Sequence, residues 1–149
     1  MHLKTCCMIC NRKISDQEAN LITQKIRTEI KSAFKKGFTH FISSFEEDID
    51  LLFADLVIEL MDEYPNIVLE AGISYSKKIE TSDIYFHRLL SKCKVIGITS
   101  LYKTAGCFVK RNRLMVNFSH MVIVINDDFI ETAEIINFAK SQNKKLILI

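Results

Sequence analysis

Short apolar segments alternating with amphipathic helical ones predict an α/β fold built on a parallel sheet. Two observations carry this. The strand segments are nearly continuous apolar runs, as suits strands covered on both faces. A helical pattern separates most strands from the next, which is the connection parallel strands require. Right-handed crossovers then give a doubly wound, Rossmann-like sheet in a single domain over residues 1–149, with 3-2-1-4-5-6 as the expected strand order.

Residues 3–10 form the first strand, bounded by polar Asn11, Arg12 and Lys13. Ser15, with Glu18 three residues on, is a capping-box pattern. It opens a helix with Leu21, Ile22, Ile26, Ile30, Ala33 and Phe34 at helical spacing, which Gly37 ends. Residues 38–43 are the second strand. The acidic stretch that follows leads into a helix with Leu51, Leu52, Ala54, Val57, Ile58 and Met61 inward, closed by Pro65, the only proline. Asp48 as cap and Asp50 in the first turn complement that helix's positive end. The third strand lies in 66–73, the third helix in 81–93 with Thr81 or Ser82 as cap, and the fourth strand in 94–98. Gly106 opens a basic helix carrying Lys110, Arg111 and Arg113, which delivers the chain into a fifth strand at 121–125. A last helix at 129–143, with Ala133, Ile136, Phe138 and Ala139 inward, precedes a strand at 145–149.

With 20 Lys and Arg against 18 Asp and Glu, the chain is nearly neutral and offers no general attraction for a polyanion. Its 48% hydrophobic content supports a real core. No apolar run approaches the roughly 18 residues of a membrane span. The opening MHLKTCCMIC lacks a signal peptide's apolar length and cleavage site. The expectation is a cytoplasmic protein with no membrane partner, whose five cysteines are reduced.

Ligands of open α/β sheets sit at the carboxyl ends of the strands, where the strand order reverses. A reversal between strands one and four gathers Cys10, Asn11 and Arg12; Ser43, Ser44, Asp48 and Asp50; Thr99, Ser100, Gly106 and Cys107 with Lys110 and Arg111; and Asn126, Asp127 and Thr132. A phosphate cradle needs glycines so that the backbone can approach closely. None follows strands one, two or five, while residues 43–50 carry four carboxylates and Asp127, Asp128 and Glu131 add more. A phosphate binder must compensate with Arg12, Lys110 or Arg111. The acidic stretch has three readings: oxygen ligands for a divalent cation, although the spacing and glycine of a calcium loop are missing; simple complement to a helix end; or a carboxylate serving ligand hydroxyls. Cys7 and Cys10 have C-x-x-C spacing with no second pair, which argues against zinc. Cys10 and Cys107 stand at strand-end loops from which they can approach each other. His40, His87 and His120 are isolated, and with no G-x-S-x-G a catalytic triad has no support. No metal or cofactor is expected.

Four stretches carry a family resemblance: TCCMICNRK at 5–13, GFTHFIS at 37–43, SSFEEDIDLLFADLVIEL at 43–60 and CFVKRNRLMVNFS at 107–119. They resemble the YpsA-like family of the SLOG superfamily, which also includes the LOG cytokinin-activating phosphoribohydrolases and the DNA-processing protein DprA. Where the family has glycines, this chain has Ser44 and Asp48; its Gly-His is Cys10-Asn11, and its Gly-Gly-Thr is Ile130-Glu131-Thr132. Arg12, Asp50, Arg111 and Thr132 match the pattern. The resemblance implies a nucleotide-derived or small anionic ligand, held by Asn11, Arg12, Ser43, Ser44, Asp50, Cys107, Lys110, Arg111, Asn126 and Thr132. The rewritten cradle favours a non-catalytic sensor, or a module that binds a protein partner. As an alternative, LOG chemistry carried over puts Arg111 and Glu134 at N-glycosidic cleavage of a nucleoside monophosphate. A third reading, DprA-like DNA binding, lacks the basic excess expected for nucleic acid. A homodimer is consistent with the resemblance.

Overall fold

In the computed structural model, which describes residues 4–149, six parallel strands form one sheet. They are β1 (Lys4–Ile9), β2 (Phe38–Ser43), β3 (Val68–Tyr75), β4 (Val95–Ser100), β5 (Met121–Val124) and β6 (Lys145–Leu148). The helices are α1 (Asp16–Lys35), α2 (Asp48–Glu63), α3 (Ile84–Leu90), α4 (Cys107–Phe118) and α5 (Ile130–Ser141), with a 3-10 turn at Ser76–Glu80. Leu3, counted in the first strand from sequence, lies outside the described residues. No described helix is long and apolar enough to cross a membrane.

The sheet order is β4-β3-β2-β1-β5-β6, all neighbours parallel. The doubly wound class is the one the sequence predicts, as are the runs 3-2-1 and 5-6. The difference is β4, which stands at the far edge beside β3 instead of between β1 and β5. A strand order reverses only when a connecting helix changes face. One core layer joins Cys6 and Met8 of β1 to Ile26 of α1, Phe53 of α2 and Phe86 of α3. The other joins Cys7 and Ile9 to Met115 and Val116 of α4 and to Ile135 and Ala139 of α5. Thus α3 stays on the face of α1 and α2, and β4 extends the sheet outward. It is α4 that crosses to the opposite face, so the reversal lies between β1 and β5.

Local signals explain most boundaries. Ser15 Oγ accepts the Glu18 N–H at 3.3 Å while Glu18 Oε2 accepts the Ser15 N–H at 3.2 Å, completing the capping box. Gly37 takes φ +92° just past α1. The cap of α2 is Glu47 rather than Asp48, and Asp50 at the third helical position accepts the Glu47 N–H at 2.9 Å. The third helix is shorter than its pattern suggests: Asp83 caps it through Oδ1, accepting from Tyr85 N at 3.0 Å, so Thr81 and Ser82 lie outside. Inward faces also shift. Phe53 is fully buried in α2, while Leu21 of α1 is 60% exposed and α5 buries Thr132, Ile135 and Ala139.

The two sheet edges differ. β6 opens on Lys145 behind Lys144, the kind of charge that discourages a further strand, whereas β4 has no charge in VIGITS and leaves Val95, Ile96 and Ile98 exposed.

Gly72 of β3 sets how closely α4 lies on the sheet, since a Cβ there would stand 3.2 Å from Met115 Sδ and 3.3 Å from its Cγ. Gly72→Val is expected to destabilise the fold by about 1–3 kcal/mol through overpacking. Adding Met115→Ala should recover part of that loss, giving a non-additive double-mutant cycle in urea unfolding; strict additivity would show that the helix does not rest on this contact.

Candidate functional site

The reversal between β1 and β5 opens a crevice of about 660 Å³ at the carboxyl ends of the strands. Cys10 and Asn11 follow β1, Glu46 and Glu47 precede α2, Phe108 and Arg111 come from the start of α4, and Phe129, Ile130 and Glu131 from the start of α5.

A continuous polar network crosses it. Asn11 Nδ2 donates to Thr132 Oγ1 at 3.1 Å, and Asn112 Nδ2 donates to Asn11 Oδ1 at 3.3 Å. Arg111 Nε donates to Asn112 Oδ1 at 3.0 Å, and its NH1 group to Glu46 Oε1 at 2.9 Å. Glu46 also accepts from Ser74 Oγ at 3.0 Å and from Lys78 Nζ. Arg111 is only 4% exposed, and its guanidinium lies 5.9 Å from the centre of the Phe108 ring. Burial opposes ionisation of Glu46, but the Lys78 hydrogen bond and the Arg111 charge outweigh it and hold that carboxyl below its usual range.

The loop from β2 to α2 is itself a closed structure. Phe45 has φ +53°, a conformation costly for a bulky residue. It is offset by complete burial and an edge-on contact with Phe86, ring centres 5.4 Å apart. Ser43 Oγ accepts the Phe45 N–H at 3.3 Å and donates to the Asp50 carbonyl at 2.7 Å. Asp50 is fully buried and, among the described residues, its Oδ1 has no hydrogen-bond partner. Burial pushes its carboxyl up to about 7, against the opposing pull of the Glu47 N–H and the Arg111 charge.

The structure brings Asn11, Arg111 and Thr132 together in the network, with Asp50 buried close by. The other residues named from sequence lie elsewhere. Ser43 and Ser44 are buried in the loop, and Cys107 is buried under the start of α4. Arg12 turns to Glu18, donating at 2.9 and 3.1 Å, and its Nε stands 3.9 Å from Asp127. Lys110 is exposed and outside the crevice lining; Asn126 is exposed, and its Oδ1 accepts the Asp127 N–H at 3.1 Å. Thr99 and Ser100 travel with β4 to the sheet edge, away from the reversal. Glu134 lines a separate hollow of about 60 Å³ shared with Asn11, Phe108 and Asn112.

All five cysteines are free, and Cys10 donates from Sγ to the Arg12 carbonyl at 3.0 Å. Burial pushes the Cys10 thiol up to about 11, which leaves it protonated near neutrality. Three histidines bind within the scaffold: His40 pairs with Glu70 at 3.0 Å, His87 meets the Thr81 carbonyl, and His120 Nδ1 accepts the Thr5 N–H at 3.1 Å. Among the described residues no three His, Cys, Asp or Glu side chains are grouped to hold a metal ion. Sequence reasoning missed Asn112, Phe108, Lys78 and the pairing of Glu46 with Arg111. Asn112 and Phe108 flank Arg111 within the quoted CFVKRNRLMVNFS, so adjacency was the available signal. Glu46 and Lys78 approach from distant segments and gave none.

Neither family models nor curated proteins gave a match to the sequence. Solved structures did. DNA processing protein A from Streptococcus pneumoniae superposes with a TM-score of 0.70 at 14% identity, over 98% of this chain and 50% of that one. DNA processing protein A from Helicobacter pylori, a structure concerned with its single-stranded DNA binding mode, gives 0.64 at 18% identity over 97% and 64%. The structural-genomics target TM1055 gives 0.62 at 16% identity over 97% and 72%. The shared feature is the fold, a Rossmann-like α/β architecture. The chain spans only half to about two thirds of the two DNA processing proteins.

Asp50 supplies a pH test. Its ordinary value is 3.8 and its folded value about 7. Between these the folded chain holds a proton that the unfolded chain has lost, so this site favours folding most at low pH and loses that contribution as pH rises through 7. Asp50→Asn keeps an oxygen to accept the Glu47 N–H. Its urea midpoint relative to the parent should therefore be higher at pH 8 than at pH 5; an identical offset at both would contradict a buried, titrating carboxyl.

Proposed function

We propose that this chain is a YpsA-like SLOG protein that binds a small nucleotide-derived ligand in the crevice between β1 and β5, as a non-catalytic sensor or interaction module. The observation that carries this reading is the unbroken path Thr132–Asn11–Asn112–Arg111–Glu46, made by four separate segments at the point where the sheet order reverses. Of that path Asn11, Arg111 and Glu46 line the crevice, an amide, a guanidinium and a carboxylate suited to hydrogen-bonding a base or a sugar, while buried Thr132 and Asn112 hold Asn11 and Arg111 in place. The same geometry supports binding better than hydrolysis. Glu134, the acid of the hydrolase alternative, opens onto the separate hollow, and Arg111 is already engaged by Glu46.

The likeness to the H. pylori protein favours a second reading, binding of single-stranded DNA. Near-neutral charge and ion-paired Arg12 and Arg111 weigh against it, because phosphate contacts need cations that are free to release counterions.

The test is a thermal-shift panel of nucleosides, nucleotides and ADP-ribose-like compounds. At least one should raise Tm, and Asn11→Ala should weaken that compound's affinity about tenfold, near the worth of one hydrogen bond. Arg113→Ala, at a side chain stacked on Phe138 outside the crevice lining, serves as the unaffected control. A panel without any shift removes the small-ligand reading. Salt-sensitive retention of single-stranded DNA would replace it with the second, and release of free base from nucleoside monophosphates would restore the enzyme.

A further inference from the structure

We infer that the crevice takes its ligand without a phosphate, as a nucleoside-like molecule carrying a flat ring and free hydroxyls. This rests on the small-ligand reading above and narrows its chemistry.

The charges that line the crevice are three carboxylates, Glu46, Glu47 and Glu131, against the single guanidinium of Arg111. That guanidinium is spoken for. Glu46 accepts from Arg111 with one oxygen and from Lys78 with the other, so it stands on both cations where an incoming phosphate would have to bind. Arg12, next in the chain to Asn11 of the lining, is held by the two oxygens of Glu18. A phosphate entering here must displace Glu46 from two partners and then lie beside Glu47 and Glu131, whose like charges repel it most at low ionic strength. The loops after β1, β2 and β5 do not compensate, since residues 10–12, 43–48 and 126–131 contain no glycine on which an N–H cradle could close. The start of α4 at Gly106 carries no side-chain cap, and against its N–H groups stand the three carboxylates of the lining. The positive end of α5 already meets Glu131 in its own first turn.

What the lining offers instead is acceptors and a ring. Carboxylates accept from sugar hydroxyls, and they do so best when the ligand brings no negative charge. Phe129, 47% exposed at the mouth, presents an aromatic surface for a base to stack on, beside an Ile130 that is 72% exposed. An uncharged ring-and-hydroxyl ligand satisfies both, whereas its 5′-phosphate satisfies neither.

The experiment compares adenosine, guanosine, cytidine and uridine with their 5′-monophosphates by calorimetry or NMR titration at low ionic strength, where charge effects are least screened. At least one nucleoside is expected to bind about tenfold more tightly than its own monophosphate, a difference of about 1.4 kcal/mol. In Glu47→Gln combined with Glu131→Gln, both at positions outside the core, that preference should fall below about threefold, because the repulsion is gone. Phe129→Ala should weaken nucleoside and monophosphate alike, a readout of stacking that charge does not touch. A monophosphate that binds as tightly as its nucleoside, or a preference unchanged in the double variant, overturns the inference and leaves small-ligand binding standing. Binding of neither class at this crevice overturns both.

Discussion

The passage of α4 across the back of the sheet is the constraint on which the rest of this architecture depends. Every connection before it keeps to one face, and each adds its strand on the same side. Only when α4 lies down on the other face, with Met115 against Gly72, does the chain return to pair β5 with β1. That return sends the chain after β1 and the chain after β5 to opposite faces of the sheet and brings the starts of α4 and α5 to one crevice. The crevice is thus a by-product of topology, and the glycine that admits the helix has no contact with it.

Within that space, charge is settled internally. A buried ion pair contributes little net stability, because desolvation of both groups offsets their attraction, but removal of one partner is expensive. Glu46 therefore does more than fill space: it allows Arg111 to be almost wholly buried without an outside anion. The loop that carries Glu46 is correspondingly rigid, with Phe45 wedged against Phe86 and Ser43 tying both ends of the turn. Residues 43–48 contain no glycine, and side chains close the stretch.

Much of the fold is legible in the sequence because the relevant signals are local. Ser15 with Glu18, Gly37 and the apolar run at 38–43 each act within a few residues, and the elements appear where these signals put them. The position of β4 is not local. Which face a helix takes depends on how its apolar stripe meets a sheet not yet assembled, and the patterns of the third helix and the basic helix look alike in that respect. At the site the division is similar. Asn11, Arg111 and Thr132 could be named from residue chemistry and motif, and they converge. Ser43, Ser44 and Cys107 could be named too, but short polar side chains at strand ends serve a turn as readily as a ligand, and here they are buried. The Glu46–Arg111 pair spans 65 positions, beyond the reach of any spacing argument.

The bare margin of β4 has a consequence of its own. Its outer backbone groups face away from β3, its side chains carry no charge, and three strands separate it from the opening between β1 and β5. An extended segment laid along that margin would add a seventh strand at the edge farthest from β6, with β3, β2 and β1 between it and the opening.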